Sequence, residues 1–244
     1  MQNLWQDLRF FADKLIKPGV ILIVISTLAL GTGFTQIKTE TIPLDALNEM
    51  QPRNVKTEWV TYKGRGALRV TDTAPANVPD GERLVILKTA LQDGVIEIEL
   101  TGEPGTNAGQ GARGFVGVAF RVSPDTAKDA LKYECFYLRP TNGRADDQVR
   151  RNHSVQYICF PDFPWQLLRK EFPEKYESYV DLVPGEWTKV KIEVRGDKAR
   201  LYVHDAQQPV LVVNDLKQGH SQGRIALWVG PGTVAHFADL RVSK

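Results

Sequence analysis

The sequence is poor in the residues that build metal centres and covalent cross-links. Its 244 residues include two cysteines and four histidines. Two cysteines cannot form a structural zinc site alone, and the histidines lack metal-ligand spacing, standing at His153, His204, His220 and His236. No acidic loop matches a recognisable calcium pattern. We therefore expect no metal among the site residues and no cofactor, with structural calcium left open.

A charge excess is also absent. The net charge is +2, and acidic and basic residues are interleaved without a basic stripe. The local cluster of Arg144, Arg150 and Arg151 also contains Asp146 and Asp147, which is typical of a solvated loop. Nucleic acid is therefore not an expected partner. A phosphate-binding loop and a Gly-x-Ser-x-Gly nucleophile are missing as well, which argues against those enzyme classes.

From Gly185 onward the chain reads as short β-strands joined by tight turns. Residues 186–194 alternate between an apolar face and a charged face, as a half-buried strand does. A turn at residues 195–197 leads into a second alternating run, which predicts a hairpin. Three more apolar runs follow, at residues 209–213, 224–229 and 234–242. The pattern predicts an all-β fold, an antiparallel sandwich.

The first 40 residues do not share this pattern. Residues 20–30 carry no charge, and with residues 31–34 they approach the length of a membrane span. Basic residues precede the run, so the positive-inside tendency places the N-terminus in the cytoplasm. We expect residues 1–40 to form a cytoplasmic stub and a single-pass membrane anchor, inserted through residues 18–34, with residues 41–244 outside the cell membrane. The alternative is a cleaved signal and a secreted or periplasmic domain.

The leader also resembles a known group of transporters. The motifs are Leu4-Trp5-Gln6-Asp7-Leu8-Arg9, Lys17-Pro18-Gly19 and Leu28-Ala29-Leu30-Gly31-Thr32-Gly33. They are similar to the opening of bacterial permeases of the macrolide-exporter type. The resemblance covers only about the first 33 residues. It implies a membrane-inserted first segment and does not imply transport.

A hairpin within residues 131–160 carries the candidate binding residues. A symmetrical connection places Tyr137 opposite Tyr157 on one aromatic face, with the small residues Gly117 and Ala119 alongside as the floor of a shallow groove. Aromatic faces stack on sugars while arginine binds their hydroxyls, so the groove predicts a carbohydrate partner. The candidate ligand-binding residues are Arg121, Tyr133, Tyr137, Arg139, His153 and Tyr157.

The same hairpin register brings the two cysteines together. Its centre falls at Asp147, so Cys135 lies directly opposite Cys159. The Cα separation of antiparallel partners is one that a disulfide accepts. We therefore expect adjacency and a possible disulfide. The alternative is a pair of reduced, buried cysteines that act as small apolar side chains.

Motifs spread over residues 55–244 resemble a known superfamily in their order. The motifs are Asp93-Gly94 with Ile96-Glu97-Ile98-Glu99, Phe120-Arg121, Tyr133-Glu134 with Tyr137-Leu138-Arg139-Pro140, Gly185-Glu186-Trp187, Ala199-Arg200-Leu201-Tyr202-Val203, Gly223-Arg224-Ile225-Ala226-Leu227-Trp228 and His236-Phe237-Ala238-Asp239-Leu240-Arg241-Val242. This order is similar to the concanavalin A-like lectins and glucanases, and within them to laminin-G-like and 3-keto-disaccharide-hydrolase-like domains. The resemblance implies a jelly-roll β-sandwich.

Catalysis has weaker support in the sequence. Glu97 and Glu99 share a strand face, but the third acid of the laminarinase-type pattern is replaced by Thr101, so we interpret both as solvated carboxylates. We predict a lectin-like carbohydrate-binding module. The alternatives are a glycosidase using Glu134, and a structural or adhesive protein-binding module whose groove is filled as a second core layer. An open groove without two converging acids favours binding.

Overall fold

The computed structural model describes residues 38–127 and 130–244. The predicted membrane anchor or signal, and the permease-like motifs, lie outside these residues. Within the described residues, no helix has the length and apolar character needed to cross a membrane. Residues 38–244 belong to a compact unit that extends from Ile37 to Lys244.

Two antiparallel sheets form this unit. The first sheet has the strand order β13-β12-β11-β6-β15-β4-β3, with β1 added beside β15. Its strands are β1 (Thr39–Thr41), β3 (Val55–Tyr62), β4 (Arg65–Asp72), β6 (Gly94–Pro104), β11 (Thr188–Arg195), β12 (Lys198–Val203), β13 (Leu211–Val213) and β15 (Thr233–Ser243).

The second sheet positions the candidate site. Its strand order is β10-β9-β8-β7-β14-β5-β2. The strands are β2 (Gln51–Arg53), β5 (Leu84–Leu91), β7 (Val116–Asp125), β8 (Ala130–Leu138), β9 (Val155–Phe160), β10 (Glu177–Ser178) and β14 (Gly223–Val229). Three short helices interrupt the connections around β9: α1 (Pro140–Gly143), α2 (Gln148–Asn152) and α3 (Trp165–Glu171).

The predicted C-terminal hairpin is confirmed. Strands β11 and β12 pair from Val190 opposite Val203 to Arg195 opposite Lys198. Gly196 adopts a φ of 59° in the turn, a conformation that glycine reaches without strain. Alternate residues of β11 are buried, as the apolar and charged alternation predicted. The antiparallel sandwich expected from the strand pattern is the observed architecture.

The two faces of the second sheet have different neighbours. Val118, Phe136 and Leu227 project from the inner face and join the hydrophobic core of the sandwich. The outer face carries the immediate sequence neighbours of these three residues: Gly117, Tyr137 and Trp228. Loops and α3 lie over that outer face, so it is sheltered without being packed against another sheet.

The predicted register between β8 and β9 is wrong by one residue. Cys135 lies opposite Ile158, and Cys159 lies opposite Glu134. Because side chains alternate along a strand, the one-residue shift places the two cysteines on opposite faces. Both are buried and free, so the predicted adjacency and the possible disulfide are wrong. The alternative of two reduced, buried cysteines describes the structure.

The connection explains the shift in register. Leu138 and Val155 are the last opposed pair, and the chain between them contains α1 and α2. The observed pairing centres between Asp146 and Asp147 rather than on Asp147. The connection at residues 139–154, which contains α1 and α2, has an even number of residues. The predicted register requires an odd number, so every side chain of β9 lies on the face opposite to the predicted one.

Candidate functional site

A cleft of about 1080 Å³ lies over the outer face of the second sheet. Residues 79–81, residues 109–115 and α3 border it. Five aromatic side chains contribute to its surface: Phe115, Tyr137, Phe160, Trp165 and Trp228. Its size and aromatic lining are those of a small-molecule or saccharide site.

A glycine makes the aromatic floor possible. Gly117 on β7 lies between Trp228 on β14 and Tyr137 on β8. Without a side chain between them, the two rings approach to a centroid distance of 4.7 Å. A Cβ at Gly117 would stand 2.2 Å from the Phe136 carbonyl oxygen, so no larger residue fits. Gly117 therefore lies between the two rings, and the rings form the floor instead of the predicted small residues.

Arg139 forms one side of the cleft just beyond the end of β8. Its Nη2 donates to Tyr137 Oη at 2.8 Å and to Gln156 Oε1 at 3.1 Å. The guanidinium also lies over the Tyr137 ring at 5.0 Å and near the Trp165 ring at 5.7 Å. These contacts hold the charged group in one position beside an aromatic surface.

Glu177 on β10 neutralises part of the positive charge at this wall. It accepts two hydrogen bonds from Arg169, at 2.8 and 2.7 Å, and its Oε2 lies 2.8 Å from His153 Nδ1 and 3.5 Å from Arg139 Nη1. Burial alone would raise the pKa of Glu177, but the Arg169 hydrogen bonds and the surrounding cations lower it below its ordinary value. Burial lowers the pKa of His153, which favours its neutral form.

Three of the predicted ligand-binding residues line this cleft. Tyr137, Arg139 and His153 come together there, because Tyr137 and Arg139 are two apart along the strand and His153 precedes the partner strand. Tyr133 lies deeper and is fully buried. Its hydroxyl donates to the Gly81 carbonyl at 2.7 Å, and its ring stacks on Phe160 at 5.2 Å. Tyr133 thus supports the cleft from behind.

Tyr157 and Glu134 do not belong to the cleft, contrary to the predicted groove. Tyr157 lies opposite Phe136 on the inner face, so the register error displaced it. Its hydroxyl donates to Glu134, whose other oxygen accepts from the Gln218 amide at 2.7 Å. Burial raises the pKa of Glu134. A carboxyl enclosed on the core side of the sheet is not positioned as the catalytic group of the outer cleft.

Arg121 is the remaining misplaced residue. It has a φ of 57° beside the register shift in β7, which turns its side chain away from the cleft. The fully buried guanidinium donates to the carbonyl oxygens of Gln92, Gly196 and Gly219 at 2.5 to 3.0 Å. Arg121 therefore joins three loops and does not bind a ligand in the cleft.

Several cleft residues were not among the predicted ones. Trp165 and Arg169 lie on α3, the short helix that follows β9. A signal existed: Pro164 precedes a run of helix-forming residues, and Trp165 and Arg169 are four apart, the spacing of one helix face. Arg113 lies in the glycine-rich loop before β7, where no periodic pattern marks it.

Glu97 and Glu99 lie away from the cleft, on β6 of the first sheet. Arg65 donates a hydrogen bond to Glu99 at 2.7 Å, and the side chains of both residues are partly exposed to solvent. Thr101 lies on the same face of β6 and is buried beside its cross-strand neighbour His236, with its hydroxyl 3.2 Å from the ring Nδ1. The two acids therefore form part of a charged sheet surface, in agreement with their interpretation as solvated carboxylates.

Comparisons with known proteins identify the fold. No protein-family model matches the sequence, and no curated protein matches it. A Bacillus subtilis protein of unknown function with a galectin-like fold aligns with a TM-score of 0.55 at 11% identity, covering 84% of this chain and 97% of its own. A prokaryotic β-1,3-1,4-glucanase (lichenase) derived from a mouse hindgut metagenome gives 0.51 at 12% identity, covering 85% and 99%.

A third solved structure, of a native glycosidic hydrolase, aligns with a TM-score of 0.50 at 12% identity, covering 85% of this chain and 95% of its own. At these identities the likeness establishes the β-sandwich architecture. That architecture agrees with the jelly-roll fold that the concanavalin A-like resemblance implied. The fold hosts binding modules and enzymes alike, so the function rests on the cleft.

Proposed function

We propose that residues 38–244 form a carbohydrate-binding domain that holds a saccharide in the outer cleft without hydrolysing it. The observation that carries the proposal is the aromatic lining of the cleft, in which Phe115 and Trp165 are partly exposed above the buried rings of Trp228 and Tyr137. A sugar presents an apolar ring face with hydroxyls around its edge, and this cleft offers the complementary surfaces. The glucanase and glycosidic hydrolase among the structural neighbours support a saccharide as the ligand class.

Polar groups that are available to hydroxyls lie beside the aromatic floor. Asn142 lines the cleft and is buried, and its amide donates to the His153 carbonyl at 3.1 Å. Its Oδ1 has no hydrogen-bond partner within the described residues. A buried acceptor without a partner is costly, and a ligand hydroxyl would satisfy it.

The distribution of acids favours binding over hydrolysis. Among the described residues that line the cleft, Asp80 alone carries a carboxylate, and it lies in an exposed position. Glu177 lies beneath the wall and is engaged by Arg169 and His153. Glycosidases place two carboxyl groups on either side of the scissile bond. The cleft offers no such pair in the described part of the chain, and its free volume argues against the filled groove of a purely structural module.

The test is saccharide binding by matched tryptophan variants. The purified full chain is screened on a glycan array, and each hit is titrated by calorimetry. Trp165→Ala is expected to weaken binding about tenfold, through loss of ring contact at the wall. Trp59→Ala is the matched control, because Trp59 is 46% exposed on β3 of the other sheet. Equal binding by the wild type and Trp165→Ala would contradict the site.

Sugar release measured on the same ligands tests the enzyme alternative. We expect no release of reducing sugar from any array hit, even after long incubation. Steady release that is lost in Asp80→Asn would establish a glycosidase of the cleft and replace the binding proposal. An array without a hit, together with a folded protein, would favour the structural module.

We also propose that residues 18–34 anchor this domain to the cell membrane with residues 41–244 outside. The support is the uncharged run at residues 20–34 with basic residues before it. Cell fractionation should recover the full chain in the membrane. A soluble exported form that begins between Thr32 and Ile37 by mass spectrometry would show cleavage instead.

A further inference from the structure

The cleft carries an excess of positive charge. Among the described residues that line it, one carries a carboxylate, Asp80, and five are cationic: Arg113, Arg139, Arg150, Arg169 and Lys170. A binding surface for neutral saccharides needs hydrogen-bond donors, but it does not need net charge. The excess therefore calls for a separate explanation.

Part of the charge is balanced within the protein. Arg169 donates two hydrogen bonds to Glu177, and Arg139 lies 3.5 Å from the same carboxylate. Glu177 is buried, so this group stabilises the wall and remains when the cleft is empty. Each of these two arginines therefore already has a carboxylate beside it within the protein.

Arg113 and Arg150 are not balanced in this way. Arg113 Nη1 donates to the carbonyl oxygens of Gln110 and Ala112, at 2.7 and 2.9 Å. Within residues 38–127 and 130–244, neither arginine forms an ion pair with a carboxylate. Burial lowers the pKa of Arg113, and the positive charges of Arg150 and Arg139 lower it further. An anion placed between the guanidinium groups would offset the repulsion between these positive charges.

We propose that the cleft selects saccharides that carry an anionic group, a uronate carboxylate or a sulfate ester, and that Arg113 and Arg150 bind this group. The inference rests on the proposed carbohydrate-binding function and specifies its ligand class. Guanidinium groups bind carboxylate and sulfate oxygens through paired N–H donors, which gives orientation as well as attraction. The aromatic lining of the cleft contacts the sugar ring, and the two arginines bind the anionic group at the edge of the ring.

The experiment compares ligands that differ only in charge. Tetragalacturonate is titrated beside its methyl ester, and a sulfated galactan tetrasaccharide beside the unsulfated form, all with the full chain. The anionic member of at least one pair should bind about tenfold more tightly at low salt, and added salt should reduce the difference. The pair that shows the preference identifies the anionic group.

Variants assign the preference to the two arginines. Arg113→Gln and Arg150→Gln should each remove most of the difference in affinity between the anionic ligand and its neutral partner. Arg113→Lys keeps the charge and should retain part of it. Arg144→Gln is the matched control, because Arg144 is exposed in the same connection and pairs with Asp181 outside the cleft.

The outcomes separate the two proposals. Binding of neutral saccharides with no preference for the anionic forms would overturn the charge selection and leave the carbohydrate site standing. A preference that survives both Gln variants would overturn the assignment to these arginines. Failure of every saccharide to bind would overturn both proposals. Because Arg150 is exposed on α2, its variant should fold normally and keep the test decisive.

Discussion

Two glutamates are buried on opposite faces of the second sheet, and they are held in opposite ways. Glu134 faces the core, accepts a hydrogen bond from Tyr157, and has a pKa raised by burial. Glu177 lies on the outer face, beneath the wall of the cleft; burial alone would raise its pKa, but Arg169 and the neighbouring cations lower it. The inner face thus favours a protonated carboxyl, whereas the outer face favours negative charge.

The largest effect should follow removal of the outer carboxylate. Glu177→Ala leaves Arg139 and Arg169 without their anion, and breaking such a buried pair costs about 3 kcal/mol in the free energy of unfolding. Urea denaturation of the full chain measures it. Glu177→Gln keeps the shape and should cost less. A loss below about 1 kcal/mol for Glu177→Ala would show that the cations are balanced from elsewhere.

The floor of the cleft should be nearly as sensitive. Gly117→Ala forces a Cβ against the Phe136 carbonyl and should destabilise by about 1–3 kcal/mol through overpacking. Gly109→Ala is the control, because Gly109 also lines the cleft but an added Cβ there meets nothing within 4 Å. Denaturation should find the control within about 0.5 kcal/mol of the wild type. Equal effects would mean that the floor adjusts freely.

A smaller effect is expected on the inner face, with the opposite dependence on pH. Glu134→Gln keeps an acceptor for one of its two donors and should cost about 1 kcal/mol. The raised pKa of Glu134 means that its contribution is present below the unfolded value of 4.5 and is lost as pH rises through the folded pKa. The cost of Glu134→Gln should therefore shrink with rising pH.

Glu177 should show the reverse. Its lowered pKa gives a contribution that is present above 4.5 and is lost as pH falls through the folded pKa. The cost of Glu177→Gln should therefore grow with rising pH. Unfolding curves of the two Gln variants across acid and neutral pH check both signs. Parallel profiles would remove the contrast between the faces.

The smallest effect should come from carboxylates outside both faces. Glu97→Gln and Glu99→Gln lie on the first sheet at partly exposed positions, and each should change stability by no more than about 0.5 kcal/mol. Neither should alter saccharide binding. A loss of binding in either variant would move the functional site away from the cleft and end the comparison of the two faces.

The strands were predictable, and the pairing of β8 with β9 was not. Alternation identified β11 and β12 because one face of each is buried, and apolar runs marked β14 and β15. The register between β8 and β9 depends on how many residues α1 and α2 absorb, and no periodic pattern records that number. The relative positions of Tyr137 and Arg139 were predicted correctly because the two residues are only two apart in sequence. The position of Tyr157 depends on the register between β8 and β9.

Other parts of the site depend on contacts that are remote in sequence. Arg121 was predicted to lie in the groove with Gly117 and Ala119, but a positive φ at the bulge turns its side chain away. The positively charged side of the cleft is formed by Arg113, Arg169 and the residues around Glu177, which come from separate connections. Only the folded sheet brings those connections together, so composition and motif order could not reveal their shared surface.

The three loops joined by Arg121 have a consequence for how the domain folds. Its carbonyl partners are 29, 75 and 98 residues away in sequence, in turns of both sheets. Contacts that close such long segments carry a large entropic cost and form late. Arg121→Lys should therefore accelerate unfolding and leave the refolding rate nearly unchanged, as stopped-flow kinetics can determine. Arg121 would then determine the unfolding rate of the domain, and with it the lifetime of the folded cleft.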